Sequence, residues 1–79
     1  MTASVSAQDQ IAAMIAEAMP EKILAFKFIP AIQDRILQLV NLKKEGKLTT
    51  SEKDELDRYL AYDLLIGLAK ARAVQYLNG

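Results

Sequence analysis

The only side chains here that could carry chemistry are carboxylates. Glu52 and Glu55 stand three residues apart, as do Asp54 and Asp57. On a helix, each pair would share a face. Oxygen ligands on one face suit a hard cation. Lys53 and Arg58 interleave with them, however, and Asp54 and Arg58 sit at favourable i,i+4 spacing. A solvated helix start is therefore the stronger reading. GKLTTSEKDE superficially resembles part of a calcium loop but lacks the oxygen spacing of an EF-hand. The chain has no histidine and no cysteine. That removes the commonest general base, the commonest metal ligand and the best nucleophile. Gly46, Gly67 and Gly79 are scattered, so no phosphate loop forms. No catalytic residue, cofactor site or metal site is expected, and the chain reads as a non-enzyme.

A second cluster is basic. Lys43, Lys44 and Lys47 flank Glu45 in one turn. Three lysines could touch phosphates, each contact weakening with salt. No aromatic residues interleave with them, and the ten basic and ten acidic residues cancel, so no global field draws nucleic acid. A weak nucleic-acid-binding accessory, using this turn duplicated by a dimer, is the alternative to a protein-interaction role.

Both clusters lie at or just before the start of the segment that dominates the chain. Residues 49–77 read as one helix of about 28 residues, roughly 42 Å long. Thr49 and Glu52 fit a capping box. Glu52, Asp54, Glu55 and Asp57 complement the positive end of the helix dipole. Two apolar ladders follow at helical spacing. One is Leu56, Leu60, Leu64, Ala71 and Val74, with Gly67 among them. The other is Tyr59, Tyr62, Ile66, Ala69, Ala73 and Leu77, and Leu65 and Leu68 widen both. A surface helix needs one stripe. Two imply that one faces the chain's own core and the other a partner, most simply a second copy. Tyr59, Tyr62, Leu65, Ile66, Ala69 and Tyr76 are expected to carry that self-association. Asp63 is the one charge between Tyr59 and Ala69. It either fixes helix register from a buried position or lies exposed at the stripe edge. The apolar run is about 11 residues against the roughly 20 needed to cross a bilayer.

The remaining elements are shorter. Residues 1–7 are small and polar and are expected to be disordered. Residues 8–19 form an alanine-rich helix, with Ser6 available as its cap. Pro20 ends it and suits the start of a short helix over residues 21–27. Ile23, Phe26 and Phe28 lie in the most apolar part of the first half. They read either as ordinary core or as a docking patch for another protein. Pro30 pushes Ile29 into an extended corner and opens an amphipathic helix to about Lys44, with Ile32, Ile36, Leu39 and Val40 inward. Gly46 caps it.

The order of signals resembles a family of small all-helical bacterial proteins. In that family a Gly-x-Leu-Thr-x-x-Glu turn leads into Glu-Leu-x-x-Tyr and a leucine-rich helix ending Lys-Ala-Arg-Ala. Here these are Gly46, Leu48, Thr49, Glu52, Glu55, Leu56, Tyr59 and Lys70 to Ala73. The likeness covers about two-thirds of the chain. The family's usual proline after Leu-Thr is Thr50 here. Such proteins tend to be encoded beside toxin-like nucleases, which implies an antitoxin-like or accessory role.

The expectation is a single all-α domain. It comprises an antiparallel αα-hairpin of residues 30–45 and 49–77 and an N-terminal helical arm, assembled as a dimer or higher bundle. Small chains build marginal cores, and without cysteine no disulfide reinforces this one. With 52% hydrophobic residues, oligomerisation is the remaining device. No secretory signal is read at the N-terminus, and a cytoplasmic location is expected.

Overall fold

A computed structural model describes residues 6–78. Among them the fold is all-α, with no strand. The helices are α1 (Ala7–Ala18), α2 (Pro20–Ala25), α3 (Pro30–Lys44) and α4 (Thr50–Asn78). The disorder expected for residues 1–5 lies outside the described residues. Ser6 and Ala7 belong to the cap and first turn of α1.

Each boundary has a chemical cause. The Asp9 N–H donates to Ser6 Oγ at 3.1 Å, and the Ser6 N–H faces the Asp9 carboxylate at 3.4 Å. This is a capping box with Asp in place of the usual Glu. Pro20 follows Met19 and occupies the first turn of α2, where a missing N–H costs nothing. That helix ends at Ala25, two residues earlier than expected. Phe26 turns extended, at φ −65° and ψ 135°. Its carbonyl, released from helical pairing, accepts a hydrogen bond from Lys70 Nζ at 2.9 Å. Ile29 is extended before Pro30, as sterics demand.

The end of α3 is a Schellman motif. The Lys47 N–H donates to the Leu42 carbonyl at 2.9 Å and the Gly46 N–H to the Lys43 carbonyl at 3.0 Å. Gly46 adopts φ +70°, which a Cβ would disfavour. At the start of α4 the expected box is present. The Glu52 N–H donates to Thr49 Oγ1 at 3.1 Å and the Thr49 N–H to Glu52 Oε1 at 3.0 Å. The helix runs through Gly67 without interruption.

Contacts divide the chain into two units, both of which draw on α4. One comprises Met1–Phe26 with Asp63–Gly79. Its buried cluster is Ala12 and Ala16 from α1, Ile23 from α2, and Ala69 and Ala73 from α4. Ile15, Leu24, Leu65, Ile66 and Leu68 pack against it. Each long helix thus contributes an i,i+4 alanine pair, which allows close approach but removes little apolar area per residue. The other unit is Lys27–Tyr62. It buries Leu39 and Leu56, and Arg35 of α3 reaches Glu55 of α4.

Two substitutions two residues apart on α4 should act in opposite directions. Ala69 has no accessible surface, so Ala69→Leu overpacks the cluster and should cost about 1–3 kcal/mol. A Cβ at Gly67 meets nothing within 4 Å. Gly67→Ala should therefore stabilise the helix by up to about 1 kcal/mol. Urea midpoints measured for each variant over a range of protein concentrations, so that association is separated from protomer stability, check both signs.

Candidate interaction surface

The chemistry of the site is set by how α4 divides its circumference. Ala69 and Ala73 have no accessible surface, and Leu65, Ile66 and Leu68 are half-buried against the same cluster. On the other ladder Leu60 is 49% exposed, Leu64 55% and Val74 45%. Gly67 and Ala71 between them are exposed as well. Ala69 and Ala73 thus face inward, while Leu60, Leu64 and Val74 on the other ladder meet water, and only Leu56 at its start is buried.

Sequence expectation and structure part company over which ladder turns inward. Of the six residues expected to carry self-association, Ala69 is entirely buried within its own chain and has no surface to offer a partner. Leu65 and Ile66 are largely occupied by the intramolecular cluster. Tyr59 is half-buried, and Tyr62 and Tyr76 are exposed. Tyr59 and Tyr62 border an open hollow with Ser51, Glu55 and Arg58. The reason is steric: α1 presents Ala12 and Ala16, and a small-residue face packs most closely on another. Leu60, Leu64, Gly67, Ala71 and Val74 stand at intervals of four, three, four and three on the exposed ladder.

Ile23, read either as core or as part of a docking patch, belongs to the buried cluster. Phe26 is exposed and Phe28 half-buried. Backbone around them is held by side chains: Lys70 meets the Phe26 carbonyl, and Gln33 Nε2 donates to the Phe28 carbonyl at 2.8 Å.

Two of the carboxylates at the start of α4, Glu52 and Glu55, are tied to the fold, while Asp54 and Asp57 are exposed. Arg35 Nε donates to Glu55 Oε2 at 2.9 Å and Nη2 to Oε1 at 2.8 Å, a bidentate fork. Arg35 Nη1 also donates to Gln38 Oε1 at 3.0 Å, which fixes the plane of the guanidinium. Glu52, besides capping, lies 3.9 Å from Arg35 Nη2. The hydrogen bond from Arg35 holds the Glu55 carboxyl below its ordinary range, and partial burial opposes this. The positive charge of Arg35 acts in the same direction as the hydrogen bond. The Arg35 guanidinium is correspondingly raised, first by its hydrogen bond to Glu55. Among the described residues no three His, Cys, Asp or Glu side chains cluster so as to hold a metal ion.

Asp63 is exposed, so the edge position is the one it occupies. In the basic turn, Lys47 lies 3.8 Å from Glu45, and both are well exposed. No described helix is long and apolar enough to cross a membrane. No family model matches the chain, and no curated protein or solved structure matches it.

The Arg35–Glu55 fork makes stability depend on pH with a definite sign. The folded carboxyl titrates below the ordinary Glu value near 4.5. Its contribution is therefore complete above that value and disappears as pH falls through the lower, folded one. Urea midpoints should decline with acidification below pH 4.5, and Glu55→Gln should flatten that part of the decline.

Proposed function

We propose that this chain is a non-catalytic, oligomerising protein-interaction module. The observation that carries the reading is the inverted distribution of apolar size on α4. Leucine, valine and tyrosine side chains stand exposed, while alanines line the buried cluster. Contiguous exposed apolar surface marks a site of association, and a small chain stabilises itself by burying it.

In this reading α3 and α4 form an antiparallel hairpin about the Gly46 turn, with α1 and α2 as the N-terminal arm. The Arg35–Glu55 fork supports it, because the two residues lie ten positions either side of Glu45. The protein would act by occlusion, laying an amphipathic helix face over a groove or site on its partner. The likeness of its turn-helix motif to small bacterial proteins encoded beside nucleases favours a nuclease or toxin as that partner. An antitoxin-like or accessory role follows. Phe26, which is exposed, suits contact with a different protein.

Sedimentation equilibrium of the purified chain tests the self-association. A dimer or larger assembly at tens of micromolar is the expected result. A clean monomer across that range would remove the oligomeric half of the proposal.

A further inference from the structure

We infer that α4 pairs with α4 of a second copy in antiparallel orientation, in a register where Leu64 meets the partner's Gly67. This rests on the self-association reading above and specifies its interface.

The first argument is spacing. Leu60, Leu64, Gly67, Ala71 and Val74 follow one another at intervals of four, three, four and three. That is the a/d pattern of a coiled-coil seam, narrower than the stripe a helix turns to a globular core. Buried Ala69 falls on the opposite side of the helix, so core and seam do not compete. All five seam residues are exposed in the protomer.

The second argument is size. In a parallel pair each residue faces its own copy, so Gly67 meets glycine and Ala71 meets alanine, leaving gaps. Antiparallel pairing centred between Leu64 and Gly67 puts each leucine against a small residue. Leu64 faces the partner's Gly67, and Leu60 faces the partner's Ala71. A Cβ at Gly67 would meet nothing in the protomer, so the open space there belongs to no side chain of its own.

The third argument is charge. Asp63 and Lys70 both flank this seam on the same side, seven residues apart. In the same antiparallel register Asp63 lies beside the partner's Lys70, and the two-fold axis repeats the pair. In a parallel pair these residues would flank Leu68 and Gln75 instead. Asp63 makes no ion pair among the described residues. Lys70 commits one of its three N–H donors to the Phe26 carbonyl and keeps two. Spacing, size and charge thus select one occupant and one orientation.

Charge reversal tests the register without touching the buried cluster. Asp63→Lys and Lys70→Asp should each weaken the dimer by about ten-fold in Kd, because each places two like-charged pairs across the seam. Mixing the two variants should restore the wild-type Kd through a heterodimer, since each reversed charge then meets its complement. Leu64→Glu should abolish the dimer, while Tyr62→Glu, on the far side of α4, should leave it intact. Circular dichroism confirms that each variant keeps its helices. A dimer indifferent to both charge reversals and to Leu64→Glu overturns this interface while leaving self-association standing. Dissociation by both single variants with no recovery on mixing overturns the antiparallel register. A wild-type monomer overturns the self-association reading and this inference together.

Discussion

The structure depends on alanine packing against alanine. Ala12 and Ala16 of α1 share a buried cluster with Ala69 and Ala73 of α4, and Ile23 closes it. Alanine loses no side-chain entropy when ordered and favours the helix at every position it holds. It also buries little apolar area, so such a cluster specifies which faces meet more strongly than it holds them together. Leu60 and Leu64, which would supply more burial, stand on the outside of α4. Further burial is available to the protomer chiefly through association. The proposed module and the shape of its core are two sides of one arrangement.

The second unit is organised by a different interaction. Arg35 grips Glu55 through two hydrogen bonds, and Glu52 caps α4 while lying close to the same guanidinium. The residues that most resembled a cation site in the sequence are thus occupied in joining α3 to α4. A bidentate fork demands defined geometry and so contributes register as well as attraction. Lys70 does comparable positioning in the other unit by meeting a carbonyl that α2 leaves unpaired.

Local chemistry was the most legible part of the sequence. Thr49 with Glu52, the prolines at 20 and 30, and Gly46 mark helix ends through interactions within a few residues, and each acts as its chemistry implies. The all-α class followed from the same signals. The inward face of α4 was not legible, because both of its ladders are apolar and hydrophobicity alone cannot rank them. Ala12 and Ala16 decide the matter, and their influence appears only when α1 meets α4. The Arg35–Glu55 fork was not legible for a similar reason: the two residues lie 20 positions apart. Ile23 admitted two readings, core or docking, and its place among the buried alanines decides for core. The leucine seam was visible in its spacing, but the tyrosines drew attention to the other side.

An interior built from methyl groups has a thermal consequence. The heat-capacity change on unfolding scales with the apolar area newly hydrated. Four of the five buried residues in the main cluster are alanine, so its centre adds little such area on opening, and most of the change comes from the half-buried Ile15, Leu24, Leu65, Ile66 and Leu68 around it. The stability curve of an isolated protomer would accordingly be shallower than that of a protomer with leucines at the cluster's centre. Further curvature would enter with the leucine seam, as copies join.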